Sequence, residues 1–123
     1  MRIAASLRLS SPGELVAALA GLQRAAEVDL RRNAVPPLYE SGVTYRRERP
    51  MAEHWQLPSQ ALAAGHGDCE DLSAWRAAEL QNAGENAEIV LIRAKPRLWH
   101  VAVRREDGRI EDPSRLLGMR GPG

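Results

Sequence analysis

The chain's only cysteine stands in Gly65-His66-Gly67-Asp68-Cys69-Glu70-Asp71-Leu72, and two further segments downstream carry matching chemistry: Trp99-His100-Val101 and Glu111-Asp112-Pro113-Ser114. A thiol nucleophile needs an imidazole to take its proton and a carboxylate to hold that imidazole in one tautomer. Cys69, His100 and Asp112 offer these groups in that order. Singly, each has a bland reading: a small buried thiol, a structural strand histidine, an Asp-Pro-Ser turn. Jointly, their order and the elements they fall on point to a thiol enzyme.

The local patterns explain how such groups would work. A free thiol ionises near pH 8.5, and a helix N-terminus favours its thiolate through partial positive charge and unpaired N–H donors. Gly-x-Gly-Asp-Cys entering an amphipathic helix puts Cys69 in that position, with its own backbone N–H free to face a developing oxyanion. Gly67 keeps the backbone able to turn and leaves room for substrate. Asp68, Glu70 and Asp71 favour the helix start but oppose a thiolate beside them. They are expected to point away from the sulfur, or to be neutralised by a base or a cation.

The elements follow from spacing. Ile3, Ala5, Leu7 and Leu9 alternate with polar residues as in a short strand. Ser10-Ser11-Pro12 opens a helix to about Arg32, with Leu15, Leu19, Leu22, Ala26 and Leu30 on one face, and Pro36-Pro37 bars its extension. Residues 37–58 are irregular, with a helical turn near Leu38, a short strand near Val43 and a solvated charge run, Arg46-Arg47-Glu48-Arg49. A short helix over Gln60–Ala64 ends at Gly65. The second long helix runs from Asp68 or Cys69 to Ala83, with Gly84 as its cap. Strands are expected over Glu88–Ala94 and Leu98–Arg105, interrupted at Lys95-Pro96. A turn at Glu106-Asp107-Gly108 returns the chain through Arg109-Ile110-Glu111. Alternation puts His100 and Ala102 on one face and Trp99, Val101 and Val103 on the other; if the Trp99 face packs against the core, the His100 face can look at the Cys69 helix. The tail from Gly118 is expected to fray.

Composition sets the class. A chain of 123 residues with 44% hydrophobic and 27% charged residues suits one domain, 1–123, with residues 1–36 as N-terminal strand and helix and 50–118 as the core of the site. The formal charge of +1 gives no electrostatic reason for a nucleic acid or membrane partner. One cysteine excludes an intrachain disulfide and a multi-cysteine zinc site, and the three histidines lack ligand spacing. His66 lines the cleft or lies in an exposed loop; His54 is structural or faces solvent. With no stretch of signal-peptide or membrane-spanning character, a cytoplasmic location is expected.

The block Trp55-Gln56-Leu57-Pro58-Ser59-Gln60-Ala61-Leu62, followed by Gly65-His66-Gly67-Asp68-Cys69-Glu70-Asp71, resembles the transglutaminase-like cysteine proteinases of bacteria, with their W-x-x-P-x-E-x-L stretch leading into G-x-G-D-C-E-D. His100-Val101-Ala102-Val103 and Asp112-Pro113 resemble the H-x-x-[VL] and D-P motifs of the wider transglutaminase-like superfamily. The likeness covers about residues 50–118, and the compact spacing is similar to that of small phage-encoded proteins of this kind. Gln60 stands where the family has Glu, and the chain is shorter than the family's members. The resemblance implies an α+β fold with a papain-like core, the nucleophile helix packed on a small antiparallel sheet. It assigns Cys69 as nucleophile, His100 as base and then acid, and Asp112 as orienter, with Trp55 or Gln56 in the cleft or oxyanion pocket. It requires no cofactor, and it allows calcium at Asp68 and Glu70, as in some of these proteinases.

The implied activity is acyl transfer on a protein or peptide through a thioester: a cysteine peptidase or amidase, or a transglutaminase or deamidase on the same triad. The rival classes are a non-catalytic phage assembly module, associated with virion structural proteins, and a calcium-binding regulatory domain using Asp68, Glu70 and Asp71. For the last, the acids lie too close in sequence to complete an oxygen cage.

Overall fold

The computed structural model describes residues 12–47, 55–95 and 98–120, and mixes helices with two small sheets. The expected N-terminal strand, the Ser10-Ser11 cap, His54 and Pro96 lie outside the described residues.

Helix α1, Pro12–Arg32, buries Leu15, Leu19, Leu22 and Ala26, with Leu30 against them. A 3-10 turn at Leu38–Glu40 leads to β1, Thr44–Tyr45. Helix α2, Pro58–Ala64, begins two residues before the expected start, because Pro58 occupies the first turn and Gln60 Oε1 accepts from the Leu57 N–H at 2.8 Å. Strand β2, His66–Gly67, pairs in parallel with β1, Tyr45 opposite Gly67.

Helix α3, Cys69–Asn82, is central rather than amphipathic. Glu70 to Trp75, Ala77, Ala78 and Leu80 are all buried, covering most of its circumference. Its C-terminus closes as a Schellman turn: the Glu85 N–H reaches the Leu80 carbonyl at 2.8 Å and the Gly84 N–H the Gln81 carbonyl, with Gly84 at φ +96°. Strands β3, Glu88–Lys95, β4, Leu98–Arg104, and β5, Ile110–Glu111, form an antiparallel sheet in sequence order, and α4, Pro113–Leu116, follows. The tail is held further than expected: Met119 is buried and its N–H bonds the Ser114 carbonyl at 2.8 Å.

Alternation along β4 holds, but the helices cover the other face. Val101 and Val103 join one core cluster with Leu15, Leu19, Ala74, Ala77 and Ala78, so both α1 and the body of α3 pack on the Val101 face. His100 lies on the opposite face, against the start of α4, where Asp112 meets it.

Two polar side chains of α1 anchor distant segments. Gln23 bonds the Ala87 carbonyl and the Ile89 N–H, supplying β3's outer edge with a partner in place of a strand. Buried Asp29 accepts from the N–H and hydroxyl of Ser59, both at 2.8 Å, and so caps α2 from thirty residues away. Asp29→Ala is expected to cost about 1–2 kcal/mol in urea unfolding. A loss within error of zero would mean that water replaces the cap.

Candidate functional site

The N-terminus of α3 carries the cysteine because its start is doubly capped. The Asp68 carboxylate accepts from the Cys69 N–H at 2.7 Å and from the Asp71 N–H, and Asp71 Oδ2 accepts from the Asp68 N–H at 3.1 Å. The Asp68-x-x-Asp71 spacing carries this reciprocal cap in the sequence. Gly67 has no positive φ; the need for glycine is space, since a Cβ there would lie 3.1 Å from Leu72 Cδ2 and 3.2 Å from Asp71 Cβ.

The three acids diverge. Asp71 turns away, as expected, and holds the segment before α2: it accepts from the Gln56 N–H at 2.8 Å and the Gln56 side-chain amide at 3.3 Å. Glu70 does the opposite of the expectation. It is 1% exposed, its Oε2 accepts a hydrogen bond from the Cys69 thiol at 3.2 Å, and its Oε1 is buried without a partner among the described residues. The helix start rotates residue 70 inward beneath the sulfur while residue 71 faces Gln56, a choice that local sequence does not carry.

These contacts set the electrostatics. Burial pushes the Cys69 thiol up, the charges of Glu70 and Asp68 and the Glu70 hydrogen bond push it further, and the backbone N–H of Val101 on the sulfur is the opposing influence. The helix terminus therefore does not leave Cys69 a resting thiolate. Burial also raises Glu70 well above the carboxylate range, reinforced by the charges of Asp68 and Asp71. Burial raises Asp71 to about 6 against the hydrogen bonds it accepts.

His100 is 5% exposed, and its Nε2 lies 2.8 Å from Asp112 Oδ2. Asp112 is placed by the turn from β5 into α4: it is the N-cap of α4, with Oδ1 accepting from the Arg115 N–H and Oδ2 3.6 Å from Arg115 Nε. Burial raises the Asp112 carboxyl, but the His100 hydrogen bond and charge, with help from Arg115, hold it below the usual range. Nε2 faces Asp112, so Nδ1 is the ring nitrogen that points elsewhere.

The structure thus joins His100 to Asp112 directly, and brings Cys69 to the same strand through Val101. The Val101 N–H meets the Cys69 sulfur and its carbonyl accepts from Ser73 Oγ at 3.1 Å. Strand β5 pairs only with Val103 and Arg104, so the β4 edge beside Val101 is left to these α3 side chains.

The expected oxyanion donors are largely committed elsewhere. The Cys69 N–H is held by Asp68, and the Gln56 side-chain amide by Asp71 and by the His66 carbonyl at 3.2 Å. Trp55 packs on the core cluster that Cys69 also touches, and its Nε1 is a buried donor without a partner among the described residues. His66 is half-buried, its Nδ1 likewise unpartnered. Tyr45 has its phenol in the field of Asp68, Cys69 and Glu70.

One oxygen each of Asp68 and Glu70 and the Cys69 sulfur lie within 4.8 Å of one another. Calcium takes six to eight oxygen ligands. Two carboxylates and a thiol do not make that cage among the described residues, and Asp68 is occupied in capping.

No protein-family model matches the chain, and neither a curated protein nor a solved structure matches it. Among the described residues, no helix is long and apolar enough to cross a membrane.

Proposed function

We propose that this chain is a thiol acyl-transfer enzyme of the transglutaminase-like, papain-like type, acting on a peptide or amide carbonyl as a cysteine peptidase or amidase. The observation that carries the reading is the 2.8 Å pair of His100 Nε2 and Asp112 Oδ2 on the strand whose next N–H bonds the Cys69 sulfur. His100 and Asp112 are held together, and the Cys69 sulfur is hydrogen-bonded to the backbone of the residue that follows His100.

In this mechanism Cys69 rests as a neutral thiol on Glu70. Rotation about its Cα–Cβ bond swings the thiol S–H away from Glu70 Oε2 and toward His100 Nδ1. The imidazole accepts it as sulfur attacks the carbonyl carbon, and Asp112 stabilises the resulting imidazolium. The C–S bond forms as the carbonyl π pair moves to oxygen. On collapse the C–N bond breaks, and the leaving amine takes the proton from His100. Water, deprotonated by the same imidazole, then cleaves the thioester; an amine in its place would make the enzyme a transglutaminase. Hydrolysis is favoured by the sequence resemblance.

The test is covalent capture. Brief exposure to p-nitrophenyl acetate, acid quench and intact-mass measurement should give one acetyl group per chain, absent in Cys69→Ala. The Cys69–Glu70 contact favours one rival, a non-catalytic binding module of phage type, since it stabilises the unreactive thiol. That rival predicts no acetyl adduct and an alkylation profile that His100→Ala leaves unchanged.

A further inference from the structure

The start of α3 lies at one end of the β3–β4 sheet, and two contacts fix where. The Gln81 side-chain amide bonds the Ala87 carbonyl at 2.9 Å, and the Ser73 hydroxyl bonds the Val101 carbonyl at 3.1 Å. Val101 is in register with Leu91, so the helix between these contacts, about 12 Å, matches the strand from Ala87 to Leu91, about 13 Å. Helix α3 therefore runs alongside β4 in the same direction. Cys69 lies one turn before Ser73 on the same helix face and packs, like Leu91, on the core cluster that holds Val101. An equal step along the sheet leads from Val101 to Trp99 and from Leu91 to Arg93, the register partner of Trp99. Trp99 and Arg93 are thus side by side on the helix-bearing face of the sheet, level with the cysteine.

The Arg93 guanidinium carbon lies 4.8 Å from the centre of the Trp99 ring; Arg93 is exposed and Trp99 half-buried. Stacking occupies the flat face of the guanidinium and leaves its N–H edge free to take a carboxylate through two bonds. Arg76, Arg104, Arg105, Arg109 and Arg115 each pair with a carboxylate of the fold, whereas Arg93 has no such partner among the described residues. The acids at the helix start, Asp68, Glu70 and Asp71, are buried, so they present no exposed carboxylate beside it.

We infer that Arg93, seated on Trp99, is a specificity determinant of the Cys69 site and takes a substrate carboxylate close to the carbonyl that the sulfur attacks. The inference rests on the acyl-transfer reading above and narrows its substrates. They are peptides with an acidic side chain beside the scissile amide, or with a free C-terminal carboxylate just beyond it. Arg93 moves no proton and touches no reacting atom; it adds binding to substrates that bear the charge.

Three esters that pass an acyl group to sulfur and release a nitrophenolate read this preference in the full chain. p-Nitrophenyl acetate is neutral, mono-p-nitrophenyl adipate carries a carboxylate on its acyl chain, and 4-acetoxy-3-nitrobenzoate carries one on its leaving group. Each charged-to-neutral rate ratio is divided by that for 2-mercaptoethanol, which cancels the esters' intrinsic reactivities. Wild type is expected to prefer one charged ester by about three- to tenfold. Preference for the adipate marks an acidic side chain before the bond, and preference for the nitrobenzoate marks a carboxylate after it. Arg93→Gln should remove the preference and Arg93→Glu should reverse it, and the ratio cancels any general loss of reactivity in a variant. A wild-type chain with no preference for either charged ester, or a preference that Arg93→Glu leaves unchanged, overturns the assignment alone. A wild-type chain that iodoacetamide alkylates but no ester acylates overturns the acyl-transfer reading, and the assignment with it.

Discussion

His100→Ala is expected to slow acetyl transfer to Cys69 by about a thousand- to ten-thousandfold. The size follows from the resting state of the sulfur. Burial and Glu70 hold the thiol neutral, so nearly all reactivity at neutral pH depends on a base that removes the proton during attack. The pH dependence carries the sign of that argument. Without His100, the rate can rise only with the fraction of free thiolate, about tenfold per pH unit through the neutral range and beyond the ordinary thiol midpoint. Stopped-flow release of p-nitrophenol from pH 6 to pH 10 measures both. A variant as fast as wild type at pH 7 would remove His100 from the mechanism.

The largest expected effect on stability is at Asp71, not in the apolar core. Its carboxylate receives the buried backbone N–H groups of Gln56 and Asp68 and the Gln56 side chain. Asp71→Ala leaves those donors without an acceptor, a cost of about 3 kcal/mol in urea unfolding. The group also shapes stability against pH. Its folded value is raised to about 6 from an ordinary 3.8, so its protonated form favours the fold. That contribution is fully present below about 3.8 and is lost as pH rises through 6. Wild type should therefore lose stability between pH 4 and 6.5 by this group's share, and the slope should flatten in Asp71→Ala. An identical slope in both would assign the titration to Glu70 instead.

The parts of this fold that were legible in the sequence are those specified by neighbours along the chain. The Leu15–Leu19–Leu22–Ala26 stripe marks α1, Gly84 marks the end of α3, and Asp107-Gly108 marks the turn into β5. The Cys, His and Asp were legible as candidates because each sits where one element hands over to another or mid-strand. What was not legible depends on contacts distant in sequence. Nothing near Asp29 announces that it caps α2, and β1 and β2 are two residues each, too short for periodicity to locate Tyr45 opposite Gly67. The core side of β4 was legible, with Val101 and Val103 in the core, but the side that meets the Cys69 helix was not: alternation separates Val101 from His100 without saying which side receives the helices. The direction of Glu70 was the costliest omission, because it reverses the expected ionisation of the thiol.

Val101 gives the site a property that side-chain chemistry alone does not. The group that opposes Glu70 at the sulfur is a peptide N–H, and the peptide bond that contains it joins Val101 to His100. This N–H therefore links the strand that carries His100 to the helix that carries Cys69. No ordinary side-chain exchange can delete that donor; only proline at 101 would, and it would also disturb the strand.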